Sequence, residues 1–386
     1  MYLSRRTFVQ RLGTAGFAIS GAGGLLAACG GIEGESAKRT PTPSPGGVKH
    51  PKVAFERLDF ANWPLYIDKK VLKEFEAQTN SKVKYVEEIS DNEEFFGKIR
   101  QPLAAGSDIK RDIVVLTDWM AARMVRLGYV QPLDKANIPN AKNLQPTLAS
   151  PKWDPKRELS LPWQSGMTAI GYDKKKVGRE IRSYEDMFDP AFKGRVSMLS
   201  DARDAANFMI LRAGKRPEDA GIDDVLTAIE EIDKLNRAGQ IRRFTGNDYT
   251  TELTKGNIWI AQAYSGDMVQ LKADNPDLDF VIPEEGATLW TDNMMVPSTS
   301  KNQYAAETMM NFVYDPAIAG RIAAEVNYVT PVVGAREALA ASDPELAENE
   351  LIFPSDETLA KLHPYVNLDE AEEKRMNEAM QAVVGA

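Results

Sequence analysis

The chain predicts an α/β protein in which open mixed sheets are flanked by helices on both faces. Three observations carry that expectation. Short apolar runs alternate with amphipathic helical stretches along the whole body. At 386 residues the chain is long enough for two lobes, each with its own core. Aromatic and acidic residues collect in the turns where the strands end, which is where open α/β sheets hold their ligands.

Taken in order, the first thirty residues read as a targeting segment. Ser4-Arg5-Arg6-Thr7-Phe8 opens a charged region, and an apolar Gly/Ala-rich stretch follows from Leu12 to Ala28. The paired arginines resemble a twin-arginine export signal, and Leu26-Ala27-Ala28-Cys29 resembles a bacterial lipobox. Residues 1–28 are therefore expected to be a signal peptide, with Cys29 the lipidated first residue of the mature chain. Cys29 is also the only cysteine, so no internal disulfide can form. Removal of residues 1–28 takes away three arginines and no acid, moving the formal charge from -9 to -12. Residues 29–50 are rich in Gly, Ser, Thr and Pro and read as a flexible tether.

In the body, Val53–Phe60 reads as a strand and Lys69–Thr79 as a helix with Val71, Leu72 and Phe75 on one face. Val83–Ile89 is a strand, Glu93–Ala105 a helix interrupted by Pro102, Ile113–Leu116 a buried strand, and Trp119–Leu127 a helix closed by Gly128. After Pro162-Trp163 a second alternating set begins. Its strands are Met167–Tyr172, Arg195–Leu199, Ile241–Phe244, Asn257–Ala263, Phe280–Pro283 and Leu289–Val296. Its helices are Ala202–Ala213, Asp224–Ala238 and Asp248–Lys255, and four more helices close the chain, the last at Asp369–Val384.

Much chemistry is excluded. The two histidines, His50 and His363, lie far apart in the sequence, and the one thiol is committed to lipid. That leaves no Cys/His metal site, no thiol nucleophile and little scope for a serine triad. Neither a phosphate loop nor a glycine-rich dinucleotide fingerprint is present, so no cofactor is expected. The acidic balance disfavours nucleic acid, whose phosphates demand basic residues. A pair of carboxylates remains the one catalytic option.

What is present is an aromatic and acidic set: Trp63, Tyr66, Trp119, Tyr264 and Trp290 with Asp201, Asp204 and Asp292. Asp201 and Asp204 stand at a helix start, where local sequence favours a cap and N3 acid and leaves open a clamp for a cation. Carboxylates suit ammonium groups, and aromatic faces suit an alkyl stem and add cation–π attraction.

The order of several motifs then makes a resemblance specific. They are Asn62-Trp63…Tyr66, Asp112-Ile113-Val114-Val115, Pro162-Trp163…Ala169-Ile170-Gly171-Tyr172, Phe192-Lys193-Gly194 and Asp201-Ala202-Arg203-Asp204. Pro283-Glu284-Glu285-Gly286, Trp290-Thr291-Asp292 and Asn327-Tyr328…Thr330-Pro331 follow. From about Val53 onward the chain resembles the spermidine/putrescine-binding proteins of bacterial polyamine ABC transporters, within the two-lobed periplasmic binding proteins of type II-like fold. The resemblance implies a ligand cleft between lobes, lined by Trp63, Tyr66, Thr117, Trp119, Asp201, Asp204, Tyr264, Trp290 and Asp292. Asp204 stands where the spermidine binder carries a glutamate, Tyr264 replaces a tryptophan, and Val366 falls where a glutamine contacts ligand. It further implies a monomeric, extracytoplasmic, membrane-anchored protein that passes a polyamine to a transporter permease. The lobes would comprise residues 51–163 with 290–336, and 164–289 with 337–386. Two other functions stay open on sequence: the same fold with another solute (a sugar, an amino acid or a metal complex), and a secreted carboxylate-pair hydrolase.

Overall fold

The computed structural model describes residues 48–89 and 91–385. The export segment, the lipobox and Cys29 lie outside the described residues, as does most of the proline-rich stretch. Among the described residues no helix is long and apolar enough to cross a membrane.

The strands are β1 (Arg57–Asn62), β2 (Lys82–Glu87), β3 (Ile113–Thr117), β4 (Leu161–Asp173), β5 (Val196–Leu199), β6 (Ile241–Thr245), β7 (Ile260–Tyr264), β8 (Leu278–Val281), β9 (Ala287–Met295) and β10 (Leu362–His363). They form one mixed sheet in the order β2-β1-β3-β9-β4-β7-β5-β6, with β8 beside β4 and β10 beside β9. β1, β2 and β3 run parallel, as do β5, β6 and β7. Each parallel set is fed by crossover helices, which is how the alternating pattern in the sequence becomes a sheet covered on both faces.

β4 and β9 join the two sets. β9 pairs with β3 through Asp292–Met295 and with β4 along most of its length. β4 spans 13 residues, about 40 Å, and carries on past β9 to pair with β7 and β8. Met167–Tyr172 is thus only the far end of a longer strand, and Trp163 lies inside it. The first set of strands packs around Leu58, Phe60, Trp163 and Met309, and around Val114, Phe96 and Met124 on its other face. The second packs around Tyr184, Phe208, Ile229 and Met380, with Tyr249 and Leu253 on its other face.

Several elements differ from expectation for identifiable reasons. β1 starts at Arg57, because the four preceding residues have no partner strand, and it runs on to Asn62. The helix Asn92–Ala104 passes through Pro102 unbroken. Pro102 sits in the last turn, where its missing N–H removes a single ladder bond. The helix Ser265–Asp274 has only three large apolar residues and gives little periodic signal. The return to the second core comes later than Arg336, since Leu339, Ala347, Ile352 and Phe353 pack with Leu58 and Phe60. His50 also belongs to the folded body rather than a tether. Its amide donates to Asp134 Oδ2 at 2.9 Å and its Nδ1 lies 2.6 Å from the buried Glu307 carboxylate.

Candidate functional site

The alternation of β9 builds the floor of the site. Thr288, Trp290 and Asp292 share one face of the strand, opposite Thr168, Gly166 and Gln164 of β4. The Trp290 ring lies directly over Gly166, where an added Cβ would stand 2.2 Å from it, so only glycine permits that placement. Four residues along β4 separate the level of Asp292 from that of Thr168, about 13 Å.

At one end is Asp292, 4% exposed. Thr117 Oγ1 donates to its Oδ1 at 2.8 Å, and Asn92 Nδ2 donates to that same threonine oxygen at 3.0 Å. The Tyr66 hydroxyl lies beside the carboxylate without a well-formed hydrogen bond to any group. Tyr66 is held by its neighbours: Trp163 donates its indole N–H to the Tyr66 carbonyl at 3.2 Å, and Trp63 anchors the same loop through Val115 O at 3.1 Å. Burial pushes the Asp292 carboxyl up to about 7, against the pull of the Thr117 and Tyr66 hydroxyls.

At the other end the helix Ala202–Arg212 begins. Asp201 caps it, accepting the amides of Arg203 at 2.9 Å and Asp204 at 3.0 Å. The capping box stops there. Asp204, 3% exposed, does not reach back to the cap but accepts three hydroxyls: Thr168 at 2.9 Å, Tyr264 at 2.9 Å and Tyr365 at 2.8 Å. Burial first, and the Asp201 charge second, push Asp204 up to about 7, and burial raises Asp201 as well. A third acid, Asp267, opens the helix after β7 and accepts Tyr249 OH at 2.7 Å and Tyr328 OH at 3.3 Å. Between the acids the aromatic rings form a wall. Trp290 stands 5.9 Å from Tyr264 and 5.3 Å from Tyr328, centre to centre.

These groups enclose one cavity of about 680 Å³, within the usual range for a small-molecule site. All nine expected residues (Trp63, Tyr66, Thr117, Trp119, Asp201, Asp204, Tyr264, Trp290 and Asp292) line it. Asp91, Asn92, Asp267, Tyr328 and Tyr365 line it too and were not anticipated. Asp267 repeats the strand-end acid seen at Asp201, after the next parallel strand, and that spacing could have flagged it. Tyr365 corrects one expectation: its neighbour Val366 is 1% exposed, packed in the second core away from the cavity. Trp119 differs in detail, since the guanidinium groups of Arg203 and Arg123 already lie over its ring at 4.8 Å and 5.3 Å. Among the described residues five aspartates line the cavity, and no lysine, arginine or histidine does. Among the described residues no cluster of three His, Cys, Asp or Glu is disposed to hold a metal ion.

A family model described as bacterial extracellular solute-binding protein matches residues 70–354. The chain belongs to that family. It is a binding protein of transport rather than an enzyme. This solute-binding protein is 27% identical over 303 residues to the spermidine/putrescine-binding periplasmic protein of Escherichia coli, covering 78% of this chain and 84% of the relative. It is 30% identical over 339 residues to a putrescine/cadaverine-binding protein of Pseudomonas aeruginosa, covering 84% and 92%. Among solved structures, the spermidine/putrescine ABC transporter substrate-binding protein of Streptococcus pneumoniae matches with a TM-score of 0.74 at 26% identity, over 85% of this chain and 98% of that one. The fold is therefore that of the two-lobed extracytoplasmic binding proteins that work with ABC transporters.

Proposed function

We propose that this protein captures a polyamine of the spermidine or putrescine class between two lobes and delivers it to an ABC transporter permease. The observation that carries the reading is the cavity's one-signed charge: among the described lining residues stand five aspartates and a wall of tyrosine and tryptophan, with no base to neutralise them. A neutral sugar brings hydroxyl donors but no positive charge to offset those acids, at a cost for each carboxylate left ionised in a buried site. Ammonium groups at the Asp292 and Asp204 ends supply the missing positive charge, and Trp290 and Tyr328 cover the alkyl stem between them. Two such pairings plus aromatic contacts are enough for the roughly 8 kcal/mol of a micromolar ligand.

In this reading the lobes comprise residues 48–163 with 290–353, and 164–289 with 362–385, following the two cores. The protein acts as an extracytoplasmic monomer held to the membrane by lipid on Cys29 after export. The test is titration calorimetry of the mature protein with putrescine, spermidine and maltose. Amine binding without sugar binding is the expected result; sugar binding without amine binding overturns the reading. Cys29→Ala should release the protein from the membrane fraction, and continued retention would refute the anchor.

A further inference from the structure

We propose that Asp204, Tyr264 and Tyr365 form a three-acceptor socket for one unsubstituted terminal ammonium group, with the two tyrosines setting selectivity at that end. The inference rests on the polyamine reading and goes further, to the substitution state of the amine. An ionised carboxylate has about four acceptor positions. Thr168, Tyr264 and Tyr365 fill three of them, two on Oδ1 and one on Oδ2. One position on Asp204 remains. Each tyrosine has spent its only hydrogen on the carboxylate, so its oxygen can face a ligand only as an acceptor. Tyr264, Tyr365 and Asp204 all line the cavity, whereas Thr168 is 1% exposed and does not. The ligand thus meets one carboxylate position and two phenol oxygens. A primary ammonium has three N–H donors and matches that number; a tertiary ammonium of the same charge has one and leaves two acceptors dry and unpaired.

The probes are putrescine and N,N,N′,N′-tetramethylputrescine, which share charge and chain length but differ in N–H count. The wild-type protein should prefer putrescine at least a hundredfold. Tyr365→Phe and Tyr264→Phe should each weaken putrescine about tenfold and narrow that preference by a similar factor, with the tetramethyl compound little affected. If both variants keep the wild-type affinity and preference within twofold, the socket is wrong although the polyamine reading stands. If the wild-type protein binds neither amine, the polyamine reading itself has failed. Should one variant not fold by circular dichroism, the other decides.

A second inference stands on separate contacts. We infer that Arg123, Glu373, Arg203 and Trp119 form a latch that holds the closed lobes. Trp119 and Arg123 lie on the helix after β3, while Arg203 and Glu373 lie on helices packed in the second core. Glu373, with its side chain 5% exposed, takes Arg123 Nη2 at 2.5 Å and Arg203 Nη2 at 2.5 Å on its two oxygens. Arg203 also lies over Trp119. Opening would break the Arg123–Glu373 and Trp119–Arg203 contacts yet strand no charge, because Arg123 keeps Glu93 at 2.8 Å and Arg203 keeps Glu373. That makes the latch reversible despite its burial.

Arg123→Ala removes the contact across the cleft together with the Arg123–Glu93 pair on its own side, and Glu93→Gln, which removes only that second pair, is the control. Putrescine dissociation should accelerate about tenfold or more, with association changed less than threefold. Small-angle scattering of the unliganded variant should give a larger radius of gyration than the wild type, a readout that needs no ligand. An unchanged dissociation rate and an unchanged radius would each overturn the latch.

Discussion

The two ends of the cleft hold aspartates that burial pushes to the same value, about 7, by different local means. Asp292 sits in the middle of a strand and receives one well-formed hydroxyl bond, from Thr117. Asp204 sits in the first turn of a helix and receives three. The lesson is that a shared titration point conceals unequal dependence on neighbours. Asp292 is a carboxylate kept short of partners until ligand arrives, whereas Asp204 also organises the hydroxyls around it.

The largest effect that tests this contrast comes from neutralising each acid. Asp292→Asn and Asp204→Asn should both weaken putrescine at least thirtyfold, since truncating one side of a buried pair costs about 2–5 kcal/mol. Their effects on the unliganded protein should differ in sign. Asparagine at 292 still accepts from Thr117 through its one carbonyl oxygen and sheds a poorly solvated charge, so the melting temperature at pH 8 should rise. At 204 the amide nitrogen cannot accept, so at least one buried hydroxyl loses its partner, at about 1–3 kcal/mol, and the melting temperature should fall. Melts that move in the same direction would break the contrast.

Next in size is pH. Both carboxyls lie near 7 when folded and near 4 when unfolded, so between those values the folded chain binds more protons. The stability of the empty protein should therefore decline as pH rises from about 4 to about 7. Ammonium binding needs the ionised forms, so affinity should run the other way, falling as pH drops below about 7. Calorimetry at pH 6 in buffers of different ionisation heat should register proton release on binding, and no release would contradict the shared shift.

A smaller effect should separate the threonines. Thr117→Val removes the one well-formed hydroxyl bond to Asp292 and should weaken putrescine about tenfold or somewhat more, the low end of the worth of a hydrogen bond to a charged group. Thr168→Val leaves Asp204 its two tyrosines and should stay within about threefold. Smallest of all is Tyr66→Phe in the unliganded protein. Its hydroxyl makes no well-formed hydrogen bond, so the melting temperature should move by less than about 2 °C.

Much of this was legible before any coordinates. Trp63, Trp119, Asp201 and Trp290 could be placed because strand ends are marked locally, by an apolar run giving way to turn or capping residues. Tyr365 and Tyr328 were missed as site residues because nothing beside them marks a strand end; they enter the cavity from the C-terminal third of the chain. Asp267 was missed with the helix it opens, whose apolar residues are too few to show a period.

The sequence by itself determined the alternating elements and the acidic and aromatic character of the strand ends, because these depend on residue type and short-range spacing. Only the tertiary structure decided which acid is a cap and which is a receptor. Asp201 and Asp204 share one helical turn, yet backbone amides claim the first, and hydroxyls from residues 36, 60 and 161 positions away claim the second. Partners that distant are brought together by sheet register and core packing, and local spacing carries no trace of them.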